Sequence, residues 1–379
     1  MKVGFDGKRA ANNLTGLGNY SRSLIEQLVS FFPQNRYFIY TPKIKSNPQI
    51  ASFFSQEQVE LKLPVKKSFL WRMFGIKSQL KDDDIDIFHG LSHELPYGIR
   101  TTGIPSIVTI HDLIFLKFPA YYKYPDRIIY TFKSRYACKV SDGIIAISET
   151  TKQDIIEHYH IPAEKIQVIY QSCDDAFKQK FAESRLQDIK IKYKLPEKYI
   201  LNVGTIEDRK NLRVLIRALR NVPDSHILLV IGKEKPYAEL VKREIKLLGL
   251  ENRVKFLKNI PFADLPGIYQ LADVFVYPSF YEGFGIPIIE ALYSGVPVIA
   301  ASGSCLEEAG GPSSLYFHPS DDIRLSELIN QVINDPKKRE MMVADGMTFV
   351  EKFDALTVST QLMDYYNQIS RSGLLTSKF

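Results

Sequence analysis

Along the first half of the chain, short apolar runs alternate with segments whose apolar residues recur every three or four positions. That alternation is the mark of successive strand–helix units feeding a parallel sheet. It predicts strands at 2–5, 37–40, 85–89, 106–110, 143–147 and 166–169, and helices at 20–31, 124–139 and 149–158. The last of these helices follows Ser148, whose hydroxyl suits an N-cap. A second alternation then begins, with strands at 199–203, 226–231, 254–256, 274–277 and 297–300. Helices are expected over 211–220, ending near 271, and over 286–294, and from 325 onward the periodicity is helical. The stretch between the two halves is polar and charged. The predicted fold is therefore α/β, with two doubly wound domains: residues 1–175, a linker at 176–197, and residues 198–357, with a terminal helix at about 358–379 completing the first domain. Ligands of such sheets bind beyond the C-terminal strand ends, so the expected site is a cleft faced by both domains.

Composition narrows the picture. A chain of 379 residues exceeds what one core usually supports, which agrees with two domains. With 45% hydrophobic and 24% charged residues the chain is of folding composition and not disordered. The net charge of +6 favours an anionic ligand or surface, yet no basic arm or nucleic-acid-reading signature is present, and nucleic acid is set aside as a partner. Cys138, Cys173 and Cys305 are too far apart for a zinc pattern and odd in number, which fits a reducing compartment. The sequence shows neither a signal-peptide core nor a bilayer-length apolar run, so the expected location is cytoplasmic.

Three segments carry candidate chemistry. In Thr15-Gly16-Leu17-Gly18-Asn19-Tyr20, between a strand and a long helix, Gly16 and Gly18 would let a phosphate approach the backbone; a plain tight turn explains them equally well. The dinucleotide fingerprint is incomplete, because Arg22 and Ser23 stand where its third glycine would be sought. In the second segment, from Gly204 to Asn211, adjacent Arg209 and Lys210 offer a fork and a point charge to a diphosphate, or form a solvated loop. The third is the most specific. Glu282-Gly283-Phe284-Gly285-Ile286-Pro287 closes a strand and opens a helix that carries Glu290, and Gly295-Val296-Pro297 follows. Pro287 suits a first helical turn. Two carboxylates with seven residues between them can accept sugar and ribose hydroxyls, while the Gly283 and Gly285 amides face oxygens. The alternative makes Glu282 a charge favoured by the helix dipole and Glu290 a surface residue.

This third frame, E-G-F-G-x-P-x-x-E-A-L-x-x-G-V-P-V-I, resembles the signature of glycosyltransferase family 4, retaining enzymes of the GT-B fold. The G-x-G-N-Y and G-T-x-x-x-R-K-N segments resemble that family's other marks, in the expected order. The segment from Ser304 to Gly311 departs from it, with Glu307 and Gly311 where relatives often carry Pro and Asp. The resemblance implies a hexosyltransferase that takes its sugar, with mannose the candidate, from a nucleotide diphosphate and passes it to a glycan or lipid-linked saccharide. Glu282 would hold donor-sugar hydroxyls, Glu290 the ribose, and Arg209 with Lys210 the departing diphosphate. Gly16, Gly18, Gly204, Gly283, Phe284, Gly285 and Glu308 would line the donor.

His111, at the end of a strand, would contact the donor sugar, or else merely caps strand and loop with Asp112. His89 is a candidate for the acceptor pocket. No Asp-x-Asp loop follows a strand, so neither metal nor cofactor is expected. A nucleotide-sugar epimerase and a non-catalytic nucleotide-sugar-binding subunit are the rival readings. Residues 64–81 set the only Trp and two Phe among Lys66, Lys67, Arg72, Lys77 and Lys81, a pattern fit for peripheral contact with the inner membrane surface or for a helix packing on its own domain.

Overall fold

The computed structural model describes residues 1–65 and 70–376. It divides into two units, Met1–Gln171 with Ala355–Phe379, and Ser172–Asp354. The first holds a seven-stranded sheet in the order β3-β2-β1-β4-β5-β6-β7. Its strands are β1 (Lys2–Asp6), β2 (Arg36–Tyr40), β3 (Val59–Lys62), β4 (Ile87–Gly90), β5 (Ser106–Ile110), β6 (Gly143–Ala146) and β7 (Ile166–Val168). The second holds six strands in the order β10-β9-β8-β11-β12-β13. These are β8 (Tyr199–Val203), β9 (Ile227–Ile231), β10 (Val254–Leu257), β11 (Val274–Tyr277), β12 (Val298–Ala301) and β13 (Leu315–Phe317). All pairings between these strands are parallel. In each sheet the strand order reverses once, at β1/β4 and at β8/β11. Those two crevices are where a doubly wound sheet offers its loops to a ligand.

Burial on both faces explains why the central strands read as mostly apolar runs without regular alternation. β5 (Ser-Ile-Val-Thr-Ile) and β11 (Val-Phe-Val-Tyr) have every residue buried. Helix Gly16–Phe31 turns Leu24, Ile25, Leu28 and Val29 inward at helical spacing. They meet Val358, Leu362 and Tyr366 of the terminal helix Ala355–Thr376 in one core cluster. His89 belongs to this packing. It is fully buried, with Nδ1 2.6 Å from the Tyr366 hydroxyl and Nε2 2.7 Å from Thr109 Oγ1, so it ties the terminal helix to the sheet and lines no acceptor pocket.

Two expectations need correction. The segment expected as a linker carries helix Glu183–Tyr193, which is part of the second unit. Buried Asp264 anchors it, accepting from Lys192 and from the Tyr193 hydroxyl at 2.6 Å each and pairing with Arg185. Only Ile189 of that helix is buried, which is why its sequence reads as a linker. In the basic-aromatic segment, Trp71, Ile76 and Leu80 lie in the first unit's core, while Val65, Leu70 and Phe74 are exposed. Trp71 is thus packing and not a membrane anchor; Lys66, Lys67 and Phe69 lie outside the described residues. Among the described residues, no helix is long and apolar enough to cross a membrane.

Candidate active site

The loops after β8 and β11, neighbours across the second unit's crevice, bring three predicted residues into contact. Glu282 Oε2 lies 2.7 Å from Arg209 Nη1, and Oε1 lies 2.6 Å from Lys210 Nζ. The backbone fixes this meeting. The Phe280 amide donates to the Arg209 carbonyl at 2.9 Å, and Asn211 donates from Nδ2 to the carbonyls of Pro278 (3.1 Å) and Pro319 (2.7 Å). Asn211 takes the left-handed conformation that Asn tolerates, φ 53°, between the turn Asp208–Lys210 and helix Leu212–Ala218. Arg209 also donates to the Tyr281 carbonyl at 2.6 Å and pairs with Glu207 at 3.0 Å. Lys210 lies 4.9 Å from the Tyr277 ring centroid and donates to that hydroxyl at 2.5 Å.

Glu282 is 9% exposed. Burial alone would raise its pKa, but Lys210 and Arg209 outweigh burial and hold the carboxyl at about 2. Burial likewise works against both cations, and Glu282 more than compensates, so their values rise. All three are charged throughout the neutral range. Arg209 and Lys210, fixed by Glu282 and, at Arg209, by Glu207, stand charged on a loop edge, where they can meet an anion that develops during bond breaking.

The other predicted residues take different places. Glu290, in helix Ile286–Tyr293, accepts from the Tyr269 hydroxyl at 2.9 Å. Burial lifts its carboxyl to about 7, with that hydrogen bond opposing and Asp174 adding to the rise. Phe284 is buried, edge-on to Phe353 at 5.3 Å, so its side chain belongs to the core and not to a donor surface. Gly285 has φ 147°, and a Cβ there would lie 3.1 Å from that of Ala309; the position requires glycine. Gly204 has φ 153° and precedes the Arg209 turn, and Gly283 is half-buried between Glu282 and Phe284. Glu308, half-buried on the short helix Leu306–Gly310, acts electrostatically on Cys305 and Lys352.

In the first unit, Gly16 and Gly18 begin helix Gly16–Phe31. A Cβ on Gly18 would strike the Asn13 carbonyl at 1.8 Å, whereas Gly16 faces open space. Gly18 therefore serves the loop itself, and Arg22 locks that loop through bonds of 2.8 Å to the carbonyls of Ala10 and Asn13. His111 is turned inward. Its Nε2 is 2.9 Å from the Leu91 carbonyl, which only accepts, so Nε2 carries the proton and Nδ1 accepts from Gln171 at 3.2 Å. Burial, then His93, pushes its pKa to about 3, leaving a neutral ring with both nitrogens engaged.

Cys305, Arg22 and Tyr277 were not foreseen as site residues. Cys305 donates its thiol hydrogen toward the carbonyls of Phe284 (2.7 Å) and Glu282 (3.1 Å), bracing the glutamate loop from beneath. Among the described residues, one group with metal-ligand spacing occurs, Asp154, Glu157 and His158 on helix Glu149–Tyr159 of the first unit. Lys117 already pairs with Asp154 at 3.0 Å there.

Two doubly wound parallel sheets, the second with an Arg-Lys-Glu cluster at its crevice, define a GT-B glycosyltransferase. Residues 185–348 match the family model described as glycosyl transferases group 1, and residues 15–177 match that of glycosyltransferase family 4. The chain belongs to this family and is an enzyme of glycosyl transfer. It is 28% identical over 384 residues to the O-antigen chain mannosyltransferase B of Escherichia coli, spanning 97% of this chain and 99% of that one. The O-antigen chain mannosyltransferase RfbU of Salmonella typhimurium is 33% identical over 219 residues, 57% of either chain. Anabaena Alr3699/HepE, solved with UDP and glucose, superposes with a TM-score of 0.75 at 19% identity, covering 97% of this chain and all of that one, a likeness of fold.

Proposed function

We propose that the enzyme moves a hexose, mannose, from a nucleotide diphosphate to a hydroxyl of a growing surface glycan, with retention of anomeric configuration and without a metal ion. The observation that carries this reading is the ion-paired cluster of Glu282, Arg209 and Lys210. Breaking the anomeric C–O bond builds positive charge on the sugar and negative charge on the diphosphate. Arg209 and Lys210, already charged and held by Glu282, the Tyr281 carbonyl and the Tyr277 hydroxyl, stabilise the latter without reorganising, which is the work a divalent ion would otherwise do. Glu282 and the Gly283–Gly285 amides receive sugar hydroxyls. Glu290 takes the ribose. The acceptor hydroxyl attacks from the side the diphosphate leaves, and a phosphate oxygen takes its proton. His111 enters as a positioning residue, since its nitrogens hold Leu91 and Gln171. Mannose and a surface polysaccharide acceptor are supported by the likeness to the two bacterial O-antigen chain mannosyltransferases.

The working location is the cytoplasmic side of the membrane, with peripheral contact through exposed Val65, Leu70 and Phe74. Sedimentation with anionic liposomes at low salt tests that contact, and its failure removes it.

The function is tested by a thermal-shift screen of the whole chain against GDP-, UDP-, ADP- and dTDP-sugars, with and without EDTA. Selective stabilisation by GDP-mannose, unaffected by EDTA, is expected. Stabilisation only by another sugar nucleotide refutes mannose, and its loss in EDTA refutes metal independence.

A further inference from the structure

The crevice of the first unit, at β1/β4, holds a second charged cluster that no role above uses. Asp6 closes β1, and its Oδ2 lies 2.9 Å from Arg72 Nε. Arg72 also pairs with Glu94, just beyond β4, and Lys133 lies 3.4 Å from the same carboxylate. Lys8 and Arg9 follow Asp6 after a single residue, Gly7. Both are half-buried, and among the described residues neither side chain has a hydrogen bond or ion pair. Burial, with Arg72 and Arg9 as like charges, lowers the pKa of Lys8, while Glu94 and Asp6 oppose that. Arg9 in turn bears on His93. That histidine has φ 60°, and its Nδ1 is buried without a partner among the described residues.

Four cations thus share two carboxylates. A half-buried surplus of two positive charges is unfavourable in the free chain and becomes favourable once an anion arrives. Strain at His93 in the same crevice has the same sense. The ligand that matches is dianionic: two charges exceed what one carboxylate neutralises, and a guanidinium beside an ammonium suits phosphate oxygens.

We propose that Lys8 and Arg9, backed by Arg72 and Lys133, bind a phosphate ester carried by the acceptor. The proposal rests on the transferase reading, in which the donor's diphosphate belongs to Arg209 and Lys210 of the other unit; the anion of this crevice is therefore the second substrate's. A soluble glycosyl phosphate and a lipid-linked glycosyl diphosphate share the chemistry.

The test is calorimetric titration of the whole chain with three probes: mannose 1-phosphate, mannosyl undecyl diphosphate and octyl mannoside. The nucleoside diphosphate it binds best is held at saturation, so that the donor's cations are occupied. At least one phosphate probe should bind at least about tenfold more tightly than octyl mannoside, and K8Q and R9Q should each erase about tenfold or more of that preference. Tighter binding of the undecyl diphosphate supports a lipid-linked source, and equal binding a soluble one. The nucleotide-induced thermal shift of each variant checks that it is folded. Phosphate probes that bind no better than octyl mannoside, or folded K8Q and R9Q proteins that keep the preference, overturn the proposal. Failure of the transferase reading looks different: no nucleoside diphosphate would stabilise the chain at all.

Discussion

Replacing Glu282 with Gln keeps the shape of the site and removes one charge. In the native protein the carboxyl sits at about 2 against an ordinary 4.5. At about 1.4 kcal/mol for each tenfold change in proton affinity, the interaction contributes about 3 kcal/mol to folding at neutral pH. That agrees with the ~3–5 kcal/mol lost when one partner of a buried pair is removed. The sign fixes the pH window. A depressed carboxyl stabilises above about pH 4.5, and the contribution fades as pH falls toward 2, so wild type and E282Q should differ fully at pH 7 and converge in acid. With a urea slope of about 2 kcal/mol/M, the midpoint should fall by about 1–2 M. Far-UV circular dichroism is the suitable signal, because the single Trp, Trp71, lies in the first unit and its fluorescence reports that unit. Turnover should fall by roughly 10- to 150-fold, the worth of a hydrogen bond to a charged group. The free nucleoside diphosphate, by contrast, should bind at least as tightly, because Arg209 and Lys210 lose their competing anion. An E282Q protein with native stability at pH 7, or one that loses nucleotide affinity in parallel with turnover, would refute the reasoning.

Further outcomes follow from neighbouring residues. R209A should lower kcat by about 10²–10³ at saturating donor, as loss of a fixed transition-state cation does; near-native turnover would remove the electrostatic assignment. C305A leaves the carbonyls of Glu282 and Phe284 without their thiol donor and should cost about 1–3 kcal/mol by denaturation, with kcat falling too. G285A forces an L residue into φ 147° against Ala309 and should destabilise the chain by at least about 1 kcal/mol, read as a lowered melting temperature. Glu290, held at about 7, binds its proton more readily in the folded protein, so the stability it contributes is full below about pH 4.5 and is lost as pH rises through 7. In the proposed ribose-binding role its deprotonated form is the better acceptor, so donor KM should fall as pH rises through about 7, and E290Q should flatten that profile.

The fold was legible wherever burial is two-sided. β5 and β11 are mostly apolar and buried along their whole length, and Ser148 caps its helix by accepting from the Thr151 amide at 3.0 Å, as its position suggests. β3 and β13 escaped because they are short edge strands with one buried residue each, Val59 and Phe317, too brief for their pattern to stand out. In the site, Glu282, Arg209 and Lys210 were readable as chemistry because charged residues cluster beside glycines at strand ends. Their mutual ion pairing was not, since it depends on β8 and β11 being neighbours although 70 residues of chain lie between these strands. Cys305 and Arg22 act through main-chain carbonyls, and carbonyls have no letter in a sequence. His111 illustrates the converse: its position at a strand end is right for a ligand contact, but ring orientation is decided by Leu91 and Gln171, remote in sequence.

The two crevices obey one rule with different charge balances. Where strand order reverses, adjacent loops diverge, so polar side chains can gather over the sheet edge without burying unpaired backbone. At β8/β11, Glu282 stands between Arg209 and Lys210, which keeps both cations charged and fixed yet leaves them able to receive a diphosphate as it forms. At β1/β4, Asp6 and Glu94 are engaged by Arg72 and Lys133, and among the described residues Lys8 and Arg9 have no ion pair of their own. A balanced cluster suits a group whose charge appears during the reaction, because its strength is exerted in the transition state more than in the ground state. An unbalanced one suits a group that arrives already charged, where binding and not turnover is the gain. On that argument Arg209 and Lys210 variants should lose kcat, whereas Lys8 and Arg9 variants should raise the acceptor KM with kcat largely kept. Steady-state kinetics with a phosphate-bearing acceptor separates the two, and a kcat loss in R9Q equal to that in R209A would show that charge balance does not divide the labour.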